Sequence, residues 1–222
     1  MEQLVLELAP PAEPSLGNFA VGRNAAALAA LEAALAGSEP VVYLWGETGS
    51  GKSHLAQAFV QAAVRAGLDA RYLHAARIHA LDISGLRVLA LDEADCLDRE
   101  GQILAFDAVN RLRLAGGVLL ATGRFPPADL ALREDLRTRL GAGIVRQLIP
   151  LDDAEKRTAL AAHAAARGFP VGAEILEYLL ARRARDMRSQ VAVLDALDRA
   201  SIALKRPLTL PLVREALKSI EA

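Results

Sequence analysis

Val41-Val42-Tyr43-Leu44-Trp45-Gly46-Glu47-Thr48-Gly49-Ser50-Gly51-Lys52-Ser53 is a short apolar run followed by Gly-x4-Gly-Lys-Ser. Five apolar residues read as a buried strand. Leu55, Phe59, Val60 and Ala63 recur at helical spacing and predict a helix over 53–66. The loop between them is expected to cradle phosphate, because backbone N–H groups at a helix N-terminus hold anions and side chains on the loop glycines would block the approach. Gly46, Thr48, Gly49, Ser50 and Gly51 supply that loop, and His54 lies in the first turn after it. Lys52 is expected to reach the β- and γ-phosphates, and the Ser53 hydroxyl to ligand Mg²⁺.

Downstream, 70–75 and 86–91 read as strands, the latter running into Asp92-Glu93-Ala94-Asp95. An apolar strand ending in Asp-Glu completes a nucleoside triphosphate site. Asp92 would hold Mg²⁺ through water, and Glu93 would orient or deprotonate the attacking water. Residues 101–115 are expected to form an amphipathic helix with Ile103, Phe106, Val109 and Leu112 inward and Arg111 and Arg113 outward. A fourth strand, 117–122, ends at Thr122, where a γ-phosphate sensor would sit. An arginine-rich helix over 129–140 and a fifth strand over 144–149 follow. Strands alternating with helices imply an α/β fold with a mostly parallel five-stranded sheet covered on both faces.

Upstream, three prolines at 10, 11 and 14 indicate an extended linker after Gln3-Leu4-Val5-Leu6-Glu7-Leu8. Phe19 and Val21 precede an alanine-rich helix that runs to about Ala36; they offer an apolar wall for a nucleotide base, or equally ordinary packing. From Leu151 the pattern becomes purely helical, over about 152–167, 173–184, 186–204 and 209–221, as expected for a small lid domain. The reading therefore divides the chain into a peptide and linker (1–16), a nucleotide-binding α/β domain (17–150) and a helical lid (151–222).

Composition narrows the function classes. A formal net charge of −1 argues against a dedicated duplex-DNA-binding surface. The single Cys96 excludes an intrachain disulfide framework and fits a reducing compartment. No apolar run approaches the roughly 18–20 residues of a membrane span, and no basic segment precedes an apolar one at the N-terminus, so a cytoplasmic location is expected.

The ordered set Asn18-Phe19-x-Val21-Gly22-x-Asn24, Gly46-x4-Gly51-Lys52-Ser53-His54-Leu55, Asp92-Glu93, Arg124-Phe125-Pro126-Pro127, Asp135-Leu136-x2-Arg139-Leu140, Arg185-Asp186-Met187-Arg188 and Leu197-Asp198-Arg199-Ala200-Ser201 resembles AAA+ ATPases of the DnaA group. Within that group it is similar to the Hda branch, the regulatory inactivators of the initiator. The resemblance covers nearly all of the chain. It implies an AAA+ P-loop fold, ATP or ADP with Mg²⁺ as cofactors, and Phe19 and Val21 as base-pocket residues. It also implies Arg139 as an arginine finger offered to a neighbour's nucleotide, with Arg137 as the alternative, and Arg188 as the lid arginine that contacts phosphate. Gln3, Leu4, Leu6 and Leu8 resemble the peptide that docks on the DNA polymerase sliding clamp. A clamp partner, a DnaA-like initiator partner and a dimer or higher homo-oligomer are the implied assemblies. The initiator's helix-turn-helix domain and its helicase-interaction domain have no counterpart in this reading.

The intact Lys52 and Glu93 make hydrolysis by the chain itself chemically possible, whereas the family's inactivator is implied to work with ADP bound and to lend its finger. The turn after Thr122 lacks the acidic residue common before Arg-Pro-Pro in this group, which sets Thr122 apart from the family's sensor. The rival reading is a helicase-loader or clamp-loader-like AAA+ ATPase; a nucleotide-gated adaptor without turnover is a third. Asp-Glu-Ala-Asp also spells a helicase signature, but that class needs a second motor domain for which 222 residues leave no room.

Overall fold

The computed structural model describes residues 13–182, 187–204 and 206–214. Glu13–Pro150 forms one compact unit, and the chain from Leu151 belongs to a second.

The first unit is built on a parallel sheet of β1 (Val41–Trp45), β2 (Ala70–His74), β3 (Val88–Asp92), β4 (Val118–Gly123) and β5 (Ile144–Gln147). Their order across the sheet is β2-β3-β4-β1-β5. Strand residues divide strictly by parity, as a two-residue period requires. Val41, Tyr43, Leu89, Leu91, Leu119 and Ala121 pack on one side with Val109 and Leu112 of α3 (Arg99–Leu114) and with Leu136 and Leu140 of α4 (Glu134–Gly141). Val42, Leu44, Val88, Ala90, Val118 and Leu120 face Leu31 of α1 (Ala25–Leu35) and Leu55, Phe59 and Ala63 of α2 (Lys52–Arg65). Phe59 and Leu55 are fully buried, each contributing about 1.5–3 kcal/mol of gross apolar stabilisation. Both faces of the sheet are thereby covered, which is why its strands read as unbroken apolar runs.

Several expectations need correction. The inward face of α3 is Gly101, Ala105, Ala108, Val109 and Leu112, while Ile103 is 48% exposed. Asp98 starts this helix by accepting from the Gly101 N–H at 2.6 Å. The helix expected over 129–140 is a 3-10 turn (Pro127–Asp129), an extended stretch burying Leu130 and Leu132, and then α4. Pro126 and Pro127 start that turn, and the Arg133 N–H is taken by the Gln102 side chain at 2.8 Å rather than by a preceding helical carbonyl. Residues 13–16, read as linker, belong to the first unit: Pro14 is buried, and Ser15 and Asn18 form a capping box around the turn Leu16–Asn18. The fifth strand stops at Gln147, after which Asn24 clamps Ile149 through two hydrogen bonds, at 2.9 and 2.8 Å.

In the second unit α5 (Asp153–Ala166), α6 (Ala173–Arg182) and α7 (Met187–Leu204) enclose Leu160, Ala164, Ile175, Leu176, Leu179, Val193, Leu194 and Leu197. An Asp152–Glu155 capping box opens α5. The Asp195 carboxylate ties α7 to α5 through His163 (2.7 Å) and Arg167 (3.4 Å). The expected fourth helix is helical over 210–214, and its remainder lies outside the described residues. No helix among the described residues is long and apolar enough to cross a membrane.

Candidate nucleotide site

β1 delivers the chain into the phosphate loop, and Lys52 opens α2 one residue earlier than expected. Gly49 and Gly51 adopt φ of +83° and +96°, a left-handed backbone that glycine enters without the Cβ penalty. A Cβ on Gly46 would overlap the Leu148 carbonyl oxygen, and one on Gly51 would come within 2.8 Å of the Phe19 ring. No side chain caps α2, so its first-turn N–H groups are presented to the loop. The Ser50 hydroxyl is buried there without a hydrogen-bond partner. Uncapped donors, an orphaned hydroxyl and glycines that admit no side chain fit an anionic phosphate group. Lys52 is buried, and its ammonium donates to the Gly46 and Glu47 carbonyl oxygens at 2.7 and 2.8 Å. Burial pushes the Lys52 pKa down, opposed by Asp92, Asp95 and Glu93. Ser53 is exposed on the first turn of α2.

Asp92 ends β3 and is 1% exposed. Thr122 donates a short hydrogen bond to its Oδ1, and the Tyr72 hydroxyl donates to Oδ2 at 2.7 Å. Thr122 also accepts from the Glu93 N–H at 3.0 Å and is wholly buried. Its hydroxyl is therefore committed to the two acidic residues in this structure. Glu93 is the one non-glycine residue with positive φ (58°) among the described residues, a conformation that costs about 1–3 kcal/mol and needs such support. Its carboxylate meets His74 Nε2 at 3.0 Å. Because His74 Nδ1 accepts from the Ala76 N–H, Nε2 is the donor in that contact.

Phe19 and Val21 are half-buried. The Phe19 ring lies against Gly51 and 5.7 Å from the ring of His54, whose Nε2 contacts the Ser15 carbonyl at 3.2 Å. The turn carrying Phe19 is thus packed on the start of α2, and the His54 ring is turned toward that turn.

Arg139 sits on α4 in an open groove of about 800 Å³ shared with Phe106, Arg133, Glu134, Asp135 and Thr138. Arg133 is held by both oxygens of Asp135, at 3.2 and 2.7 Å, whereas Arg139 and Arg137 make no hydrogen bond or ion pair among the described residues. Arg137 does not line the groove. Arg188 falls in α7 with its side chain outside the described residues, as do Gln3, Leu4, Leu6 and Leu8 entirely.

Sequence reasoning did not single out Tyr72 and His74. The signal was available in part: two polar residues at the end of a strand beside an acidic strand end. What brings them to Asp92 and Glu93 is the register, which sets His74 opposite Asp92.

Residues 153–217 match the family model of the Hda lid domain, and residues 18–85 match that of the IstB-like ATP binding protein. Among solved structures, domain III of the Thermotoga maritima replication initiation protein DnaA is 19% identical, with a TM-score of 0.74 over 96% of this chain and 98% of that one. AMPPCP-bound DnaA from Aquifex aeolicus is 24% identical, with a TM-score of 0.70 over 85% and 65%. The Thermotoga maritima RuvB Holliday junction branch migration motor is 22% identical, with a TM-score of 0.60 over 87% and 65%. These likenesses share the parallel sheet and its phosphate loop, and the lid match adds the second unit. The fold is that of AAA+ P-loop ATPases, residues 153–217 match the Hda lid, and the chain as a whole is consistent with the DnaA/Hda-type AAA+ family.

Proposed function

We propose that the chain is an adenine-nucleotide-binding regulator of DNA replication initiation that docks on the sliding clamp through residues 3–8 and promotes ATP hydrolysis by a DnaA-like initiator. The observation that carries this reading is the contrast within one groove. Arg133 is neutralised by Asp135, and Arg139 is left without an anionic partner among the described residues. An unpaired guanidinium on an open surface suits a phosphate supplied by another molecule, since Arg presents a planar fork to phosphate oxygens. The match of 153–217 to the Hda lid favours the inactivator over a loader.

In the chain's own site the uncapped start of α2 binds phosphate, Lys52 leaves its loop carbonyls to neutralise it, and Phe19 walls the approach. Ser53 and Asp92 are the residues to hold Mg²⁺, which would neutralise phosphate charge. Glu93 is engaged by His74, so this chain's own turnover is expected to be slow. Action then falls on the partner's nucleotide, through Arg139.

The test is capture of the full chain on immobilised clamp together with nucleotide retention. Wild type should bring ADP to the clamp. Lys52→Ala should lose nucleotide but keep the clamp, and Leu6→Ala with Leu8→Ala should do the reverse. Equal clamp capture by wild type and the leucine variant would remove the peptide from the mechanism.

A further inference from the structure

We propose that the outward face of α3 pairs with the same face of a second copy of this chain, antiparallel about a twofold axis level with Val109. The inference rests on α3 alone and does not depend on the nucleotide reading. An amphipathic helix ordinarily turns its large apolar residues toward the core. α3 instead lays Gly101, Ala105 and Ala108, with Val109 and Leu112, toward the sheet and leaves Ile103, Leu104 and Leu114 exposed. Leu114 is 89% exposed and Leu104 37%. At the helical period Glu100, Ile103, Leu104, Asp107, Arg111 and Leu114 fall within about 100° of arc and form one stripe. Singly exposed leucines are ordinary, whereas apolar residues gathered on one face mark an interaction surface.

The order of residues along the stripe identifies the occupant. Leu104, Asp107, Arg111 and Leu114 follow one another at intervals of three, four and three residues, the spacing by which helices pair, and read in reverse the series is its own complement. In an antiparallel pair centred on Val109, Leu104 meets the second copy's Leu114, Asp107 meets its Arg111, and Ile103 meets its Ala115, which is exposed. Twofold symmetry makes each contact twice. Within one copy Arg111 Nε donates to Asp107 Oδ2 at 2.9 Å, and the terminal nitrogens of Arg111 make no hydrogen bond among the described residues. The guanidinium fork therefore has donors left for a second carboxylate. A parallel pair would instead set Asp107 beside Asp107 and Arg111 beside Arg111, which like-charge repulsion disfavours. Glu100 and Asp107 around the one cation of this stripe suit neither nucleic-acid phosphate nor an anionic lipid surface. Such an isologous contact closes at two copies and differs from the contact by which Arg139 would reach a neighbour's nucleotide. One helix face on each side buries less than the ~1,200 Å² of a standard interface, so the pairing is weak on its own.

The test is disulfide trapping of the full chain in a Cys96→Ser background. In the proposed register position 104 of one copy lies opposite position 114 of the other, whereas like positions are offset along the axis by roughly 15 Å, beyond the ~7 Å over which a disulfide forms. Leu104→Cys and Leu114→Cys, mixed, should therefore cross-link roughly ten-fold or more faster than either variant alone. Equal cross-linking by the mixture and by either variant alone, or none in any of them, overturns the proposal. Charge reversal at these exposed positions gives a second reading without cysteine. Asp107→Arg and Arg111→Asp should each self-associate roughly ten-fold or more weakly than wild type in sedimentation equilibrium. Their equimolar mixture should regain the wild-type association, because each variant supplies the charges that the other lacks. Association of either variant alone as strong as that of wild type, or a mixture that stays monomeric, contradicts the pairing. Wild type that stays monomeric at its highest soluble concentration overturns it and leaves the face to a different protein.

Discussion

The Tyr72 hydroxyl donates to Asp92 Oδ2 at 2.7 Å from the strand next to β3, while Thr122 holds Oδ1 from the strand on the other side. The carboxylate is gripped by both neighbours of its own strand, so its position is set before any metal arrives. Burial, followed by this bond, pushes the Tyr72 pKa up to about 12.

Tyr72→Phe is expected to cost about 1 kcal/mol of stability, the net contribution of one intramolecular hydrogen bond. The sign of the pH dependence follows from the raised folded-state value. The stabilisation is fully present below the unfolded tyrosine pKa, near 10, and is lost as pH rises through about 12. Urea denaturation of both proteins at pH 8 and above pH 10 checks this: the gap between them should shrink at the higher pH.

Thr122→Val keeps the shape and removes a hydroxyl that serves Asp92 and the Glu93 N–H together. Two buried groups lose a partner, so about 2–3 kcal/mol should disappear from the nucleotide-free protein. Thr122→Ser should recover most of it. If the valine variant were as stable as wild type and lost only nucleotide affinity, the hydroxyl would face phosphate after all.

Gly123→Ala should destabilise by about 1–3 kcal/mol through overpacking, because the new methyl group would overlap the Tyr43 hydroxyl and meet Asp95 Oδ1 at 3.3 Å. Adding Tyr43→Phe should restore part of the loss. Thermal unfolding of the single and double variants separates this local clash from a general loss of packing.

The alternation of strand and helix was legible because both periods are local, and the phosphate loop was legible because its glycines and Lys52 stand together. Thr122 was placed correctly at a strand end, but the direction of its hydroxyl depends on β3 lying beside β4. Tyr72 and His74 escaped for the same reason. Their partners are about 20 residues away, and the contacts exist only because β2 pairs with β3 in this register. Ile103 was assigned to the core by spacing, although the small residues Gly101, Ala105 and Ala108 let α3 approach the sheet along a different stripe. The prolines at 126 and 127 were the available sign that α4 starts late.

The central claim is that Arg139 acts on a partner's nucleotide. Single-round conversion of ATP-loaded DnaA-like initiator to the ADP form, with clamp and this protein present, tests it most directly. Wild type and Arg137→Ala should accelerate conversion. Arg139→Ala should lose on the order of 10³-fold or more of that acceleration, the contribution of an arginine finger, while binding ADP in its own site as wild type does. Undiminished acceleration by Arg139→Ala, or none by wild type, would contradict the account.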